Sequence, residues 1–182
     1  EGNNVHLWDA ARRERCGTFD GYYPPAFAFS PDGRYVAITT IGKVELFDPK
    51  TAELLVTLDE PGVKPAAVAF GPVAQDEGGR KHYRLAFTDG ERVWEKSWAD
   101  GREPRTAVLG PVAGAQKADA RPPAGVAYSP DGKRMVFIPN AKTGPEADSR
   151  WFAQVWEPAT GNGVVLPHGP EPVTVVAWAP DG

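Results

Sequence analysis

The sequence contains few of the residues from which cross-links and active sites are built. It has one cysteine (Cys16), one methionine and three histidines among 182 residues. A single cysteine excludes an internal disulfide framework and a metal site with several cysteine ligands. It is typical of a reducing compartment, so we predict a cytoplasmic location. No apolar run approaches the roughly 20 residues of a membrane span, which predicts no membrane insertion in this segment.

Charge and short motifs exclude further classes of function. The net charge is -4, so no basic field indicates a nucleic-acid partner. The sequence has no nucleophile elbow, phosphate-binding loop or dinucleotide fingerprint. His6, His82 and His168 lack metal-ligand spacing. We interpret His6 as an outward-facing strand residue and Cys16 as an ordinary strand-edge thiol. The sequence thus predicts a non-catalytic chain with no cofactor and no metal.

Turn-forming residues are abundant instead. The 20 glycines and 19 prolines fall between short apolar runs, a pattern typical of many short strands joined by turns. No segment has a convincing amphipathic helix pattern, and residues 111–121 are interpreted as a loop. The hydrophobic content of 41% is sufficient for a packed core. We therefore predict an all-β fold.

One phrase, an apolar strand followed by a tight turn, recurs along the chain. It reads FAFSPDG at 27–33, VAYSPDG at 126–132 and VAWAPDG at 176–182, with a broken version, VAFGP, at 68–72. Serine, proline and glycine at these positions suit a type I turn. The apolar run predicts a strand, called strand a, that is buried on both faces. Its aromatic anchors are Phe29, Phe70, Tyr128 and Trp178.

A second phrase alternates apolar and polar residues and ends in an aromatic and an acidic residue, which predicts a half-buried strand c. It reads VHLWD at 5–9, VELFD at 44–48 and AQVWE at 153–157, with a shorter version, VWE, at 93–95. Strand b lies between strands a and c, at 34–40, 83–88 and 134–138. Strand d follows at 53–58, 106–109 and 163–166. The repeating unit is therefore four antiparallel strands.

The spacing of the aromatic anchors defines the repeat length. They lie 41, 58 and 50 residues apart, near the roughly 40–45 residues of a four-stranded propeller blade. Three whole units are predicted at 22–60, 63–110 and 122–168. Residues 1–20 supply strands c and d of an earlier unit, and 172–182 supply strand a of a later one. Because both ends fall inside a unit, the sequence predicts a segment of a larger propeller.

These phrases resemble the WD-repeat β-propeller family. The resemblance is carried by the strand-c endings and the Ser-Pro-Asp-Gly turns, namely Trp8-Asp9, Phe47-Asp48, Trp94-Glu95, Trp156-Glu157, Ser30–Gly33 and Ser129–Gly132. It implies an all-β propeller segment that binds protein partners without catalysis. Similar bacterial propellers are often attached to signalling domains, so the resemblance also implies a bacterial sensor or docking module. The 126–138 stretch looks equally like the TolB-type propellers, which implies an alternative role beside a hydrolase or peptidase domain.

Three insertions interrupt the repeat and are candidates for function, because loops on a rigid scaffold carry binding sites. In an a-to-d meander, the d–a loop at 110–121 and the b–c loop at 140–150 should share one end. The a–b loop at 71–80 should lie at the other end. Trp98 and Trp151 fall outside the repeat anchors and are candidates for ligand contact. The residues predicted to border a protein-binding surface are Lys117, Asp119, Arg121, Lys142, Glu146, Asp148, Arg150 and Trp151.

Overall fold

The fold consists of antiparallel sheets that follow one another along the chain. The computed structural model describes residues 3–21, 26–40, 42–111, 116–117, 125–139, 141–143, 150–169, 171 and 173–182. These ranges contain 17 strands and no helix, which confirms the predicted all-β class. The described residues accordingly include no helix long and apolar enough to cross a membrane.

Four sheets account for all of the described strands. The first contains β1 (Asn3–Asp9) and β2 (Glu14–Gly21). The second contains β3 (Phe27–Phe29), β4 (Val36–Thr40), β5 (Lys43–Phe47) and β6 (Leu54–Asp59). The third contains β7 (Ala67–Phe70), β8 (Ala74–Gln75), β9 (Lys81–Thr88), β10 (Arg92–Ala99) and β11 (Arg105–Pro111). The fourth contains β12 (Gln116–Lys117), β13 (Gly125–Tyr128), β14 (Met135–Ile138), β15 (Ala141–Thr143), β16 (Arg150–Glu157) and β17 (Asn162–Gly169).

The second, third and fourth sheets share the predicted a-b-c-d order. Their strand orders are β3-β4-β5-β6, β7-β9-β10-β11 and β13-β14-β16-β17, and all of the pairings are antiparallel. The extra strand β8 pairs with β9, and β12 and β15 extend the fourth sheet beside β16. A short strand, β12, therefore lies within 111–121, where the sequence predicted only a loop.

The Pro-Asp-Gly turns form as their chemistry predicts. The Gly33 amide donates to the Ser30 carbonyl at 2.9 Å, and the Gly132 amide donates to the Ser129 carbonyl at 2.8 Å. Both glycines have left-handed φ angles, +69° and +67°, which other residues adopt only at an energetic cost. Each turn therefore fixes the direction in which the chain enters strand b.

Burial differs from the predicted pattern for strand a. Phe27 and Phe29 on β3 are 58% and 49% exposed, so the prediction of a strand buried on both faces is wrong for β3. Strand a lies at the edge of its sheet and pairs with strand b alone, whereas strand b lies between two paired strands. The largest fully buried side chains of strand b include Ile38, Tyr83, Leu85, Phe87, Met135 and Ile138.

The register of the third sheet corrects one predicted equivalence. In each complete sheet the aromatic anchor of strand a pairs with a strand-b residue, and that residue also pairs with a strand-c residue. The strand-b and strand-c residues that align with the anchor are Val36 and Phe47 in the second sheet, Leu85 and Lys96 in the third, and Met135 and Trp156 in the fourth. Lys96, not Trp94, thus occupies the position of Phe47 and Trp156. The interpretation of Trp94-Glu95 as a strand-c ending was wrong, because β10 continues to Ala99.

Residues 173–182 differ from the predicted strand a, since none of them has strand pairing. A strand requires a hydrogen-bonded neighbour, and no described segment lies beside this one in a ladder. The anchor nonetheless packs on the fourth sheet. The Trp178 Nε1–H donates to the Ala127 carbonyl at 3.2 Å, and the Arg134 guanidinium lies 5.0 Å from the Trp178 ring centroid. The predicted bounds of the repeat units stay predictions.

Candidate interaction surface

Two of the predicted insertions meet at one end of the fourth sheet. Gln116 lies opposite Lys142 and Lys117 opposite Ala141 in the β12–β15 ladder. Lys142 in turn lies opposite Trp151 in the β15–β16 ladder. The d–a and b–c insertions are therefore joined by backbone pairing, as the meander topology predicted. The a–b insertion pairs at the start of β9, at the opposite end of the neighbouring sheet.

The predicted partner-binding residues are described to different extents. Lys117, Lys142 and Arg150 lie on β12, β15 and β16, where the backbone is described. Asp119, Arg121, Glu146 and Asp148 lie outside the described residues. The prediction that these residues border a partner-binding surface stays a prediction.

The two tryptophans that fell outside the repeat anchors are both buried. Trp151 is 4% exposed and precedes the fully buried Phe152 on β16. Trp98 is 7% exposed and stacks on Tyr83, with 5.3 Å between ring centroids. The indole rings therefore belong to the packing beneath the surface, and strand alternation alone gave no signal of this burial.

A polar cluster that sequence reasoning missed joins the second and third sheets at the opposite end. Asp32 lies in the turn after β3, and its Oδ2 accepts from Lys81 Nζ at 2.6 Å and from the Tyr83 hydroxyl at 3.0 Å. Its Oδ1 accepts from the Ser30 hydroxyl at 2.8 Å and from the Arg34 amide at 3.2 Å. The carboxylate thus connects its own turn to strand b of the next sheet.

These hydrogen bonds control the ionisation of the cluster. Burial by itself raises the pKa of Asp32, but the bonds from Lys81, Ser30, the Arg34 amide and Tyr83 outweigh burial and lower that pKa to about 2. Burial and the hydrogen bond to Asp32 raise the pKa of Tyr83 well above its usual value. Asp32 is therefore held as a carboxylate and Tyr83 as a neutral donor across the neutral pH range.

We expect Asp32→Asn to lower the free energy of unfolding at pH 7 by about 1–2 kcal/mol, because an amide replaces a carboxylate that accepts four hydrogen bonds. The pKa of Asp32 in the folded chain lies below the unfolded value of 3.8, so the stabilisation by the ionised carboxylate is fully present above that pH. This stabilisation is lost as the pH falls toward about 2. Urea unfolding at several pH values should show that the difference in free energy of unfolding between wild type and variant decreases as the pH falls below about 5.

Asp131→Asn is the matched control. Asp131 occupies the same turn position in the fourth sheet, but its hydrogen bonds, from the Ser129 hydroxyl and the Lys133 amide, stay within the turn. Its substitution should change stability less than that of Asp32. Equal losses for the two variants would show that the turn, and not the contact between sheets, accounts for the effect.

Other titratable groups are engaged in local contacts. His6 Nδ1 lies 3.2 Å from the Thr18 hydroxyl, and His82 Nε2 lies 3.4 Å from Asp76 Oδ2. The His168 side chain lies outside the described residues, and Cys16 is a half-buried free thiol. Within the described ranges, no group of three or more His, Cys, Asp or Glu side chains has the geometry to hold a metal ion.

Consecutive four-stranded antiparallel sheets that pack face to face define a β-propeller. Two solved structures share this arrangement. The chain is similar to the Cps50 (Swd1) β-propeller domain of Myceliophteria thermophila, with a TM-score of 0.63 and 13% identity over 98% of this chain and 53% of that one. It is also similar to U3-55K, with a TM-score of 0.53 and 13% identity over 90% of this chain and 45% of that one.

At 13% identity, the likeness shows the fold alone. The chain spans about half the length of each of these propellers. No family model matches the sequence, and no curated protein matches it. The sequence and the structure therefore define a β-propeller segment, with the predicted fold class confirmed.

Proposed function

We propose that the chain is a non-catalytic scaffold that binds a protein partner through the insertion surface formed by residues 110–121 and 140–150. The observation that supports this proposal is the β12–β15–β16 ladder, which unites the two insertions at one end of the fourth sheet. The backbone pairing holds Lys117 and Lys142 in place before binding, so less conformational entropy is lost at these two residues when a partner binds.

The charges of this surface favour a protein partner over a nucleic acid. The predicted residues include four basic side chains and three acidic ones, namely Lys117, Arg121, Lys142, Arg150, Asp119, Glu146 and Asp148. Mixed charge suits complementary contacts with another protein, whereas nucleic-acid sites are predominantly basic. The resemblance to WD-repeat propellers supports the same role and extends it to a sensor or docking module of a larger signalling protein. The single cysteine supports a cytoplasmic location for that module.

The test is charge reversal on the insertion surface. We expect the double variant Arg121→Glu/Arg150→Glu to reduce binding of a captured partner at least about tenfold, since reversed charges repel a complementary surface. Partners should be captured from the source organism with wild-type chain, identified by mass spectrometry, purified, and titrated against each variant. A partner that binds the variant as tightly as wild type would contradict the proposal.

The control reverses two exposed charges at the opposite end. Lys50 and Arg102 lie in the turns after β5 and β10 and are exposed. Lys50→Glu/Arg102→Glu changes the net charge by the same amount and should leave partner affinity unchanged. A loss in both double variants would indicate a long-range effect of net charge and not a local surface.

A further inference from the structure

Asn162 and Gly163 form the one Asn-Gly pair in the sequence. They follow the turn between β16 and β17, and both residues are exposed. Asn162 lies opposite Glu157 in the β16–β17 ladder, and Gly163 lies opposite Trp156. An asparagine followed by glycine is chemically vulnerable, because glycine has no side chain to hinder attack by its backbone nitrogen on the asparagine side chain.

The exposure at this position is a property of the turn itself. In the second sheet the Ala52 amide closes the same turn on the Asp48 carbonyl at 2.8 Å, and the residue that follows, Glu53, is exposed. In the fourth sheet the Gly161 amide closes the turn on the Glu157 carbonyl at 3.0 Å. The residue after Gly161 is therefore exposed for the same geometric reason as Glu53.

Packing requires glycine at position 163. A methyl group added there would meet the side-chain amide of Gln154 and the ring of Trp156. Gln154 is buried and Trp156 is half-buried, so a larger residue at position 163 would displace side chains that pack on the sheet. The same feature that lets these side chains pack on β17 thus leaves the asparagine beside it open to attack.

We infer that Asn162 is a site of spontaneous deamidation in the folded chain. The Gly163 backbone nitrogen loses its proton to hydroxide and forms a bond to the side-chain carbonyl carbon of Asn162. The bond from that carbon to the side-chain nitrogen breaks, and the nitrogen takes a proton from water and leaves as ammonia. Water then adds to either carbonyl carbon of the cyclic succinimide. The ring opens to aspartate, or to isoaspartate when the main chain continues through the side-chain carbonyl.

The reaction requires Asn162 to leave its extended backbone conformation, and its place in the fold makes this opening local. Asn162 is the first residue of β17, and among the described strands β17 pairs with β16 alone. The Asn162 amide donates to the Thr160 hydroxyl at 3.2 Å, a turn contact at the exposed end of the ladder. The end of an edge strand opens at a far smaller free energy than the whole domain unfolds.

The product places two carboxylates opposite each other. Glu157 is the ladder partner of position 162, and its Oε2 accepts from the Thr160 hydroxyl at 2.7 Å. Like charges directly opposite in an antiparallel pair destabilise that pair. Isoaspartate also lengthens the main chain before Gly163, which disturbs the register of β17. Deamidation therefore loosens the β16–β17 hairpin, whose other end reaches the insertion surface at Trp151.

The first test is peptide mapping by mass spectrometry after incubation of the purified full chain. We expect aspartate and isoaspartate to accumulate at position 162, about tenfold faster at pH 8 than at pH 7, because the attacking nitrogen must lose a proton. Asn4 is the matched control within the chain. It is exposed on a strand but precedes Val5, whose β-branched side chain hinders attack. Asn4 should stay intact over the same period.

The same chain unfolded in urea gives the reference rate. A folded-state rate at Asn162 that is lower by the full unfolding equilibrium constant, on the order of a thousandfold or more, would overturn the inference. The reaction would then proceed through global unfolding and not through local opening. Equal deamidation of Asn4 and Asn162 in the folded chain would overturn it as well.

The second test measures the effect on the hairpin. Asn162→Asp reproduces one product and should lower the urea midpoint and speed amide hydrogen exchange along β17. Asn162→Gln keeps the side chain neutral and should leave the midpoint close to that of wild type. Glu157→Gln should remove most of the loss caused by Asn162→Asp, because the opposing charge is gone. A midpoint for Asn162→Asp equal to that of wild type would overturn the inferred loosening of the hairpin.

Discussion

Lys96→Ala is expected to lower the free energy of unfolding by about 2–4 kcal/mol, because it removes one partner of a buried ion pair. The Lys96 side chain is 7% exposed, and its Nζ donates to Glu60 Oε2 at 2.8 Å, Thr106 Oγ1 at 2.6 Å and the Asp59 carbonyl at 3.2 Å. All three ammonium hydrogens are therefore used. Urea unfolding followed by tryptophan fluorescence measures the loss.

A double-mutant cycle separates the charge of Lys96 from its packing. Lys96→Met keeps most of the side-chain length and should cost less than Lys96→Ala. Adding Glu60→Gln removes the carboxylate left without its partner, so the double variant should regain part of the stability lost by Lys96→Met. A loss below about 1 kcal/mol for Lys96→Ala would contradict the view that this lysine joins the second and third sheets.

The strands and turns were predictable because their signals are local. Alternating apolar residues and a Pro-Asp-Gly turn act within a few residues of one another. Strand register, in contrast, depends on residues far apart in the sequence. Trp94-Glu95 matched the composition of a strand-c ending. However, β9 begins at Lys81, four residues before Leu85 pairs with the anchor Phe70, so the β9–β10 hairpin is longer than the strand-b/strand-c hairpins of the second and fourth sheets. Nothing near Trp94 in the sequence indicates that extension.

The position of the two fourth-sheet insertions was predictable, whereas contacts between sheets were not. A meander places its d–a and b–c loops at one end whatever their sequence, and the β12–β15 ladder lies there. Asp32 and Tyr83 are 51 residues apart, and only the packing of two sheets brings them together. Likewise, Trp151 is buried by the packing around β16, and its neighbours in the sequence gave no sign of it.

Gly132→Ala is expected to lower the free energy of unfolding by about 2–4 kcal/mol, against about 1 kcal/mol for Gly33→Ala. Both glycines end the same turn with nearly equal φ angles, +67° and +69°, so the backbone strain is the same. At Gly132 the new methyl group would also meet the Arg84 guanidinium and the Pro72 ring. The methyl group would displace the Arg84 guanidinium, whose Nη2 donates to the Gly132 carbonyl at 2.7 Å.

The difference between these two variants therefore measures the contact between the third and fourth sheets, because the turn contribution cancels. The measurement is the urea midpoint of each variant under the same conditions. Arg84→Met should remove most of the excess cost of Gly132→Ala, since a flexible thioether can move away from the new methyl group. Equal losses for Gly132→Ala and Gly33→Ala would mean that the arginine adds nothing to the turn.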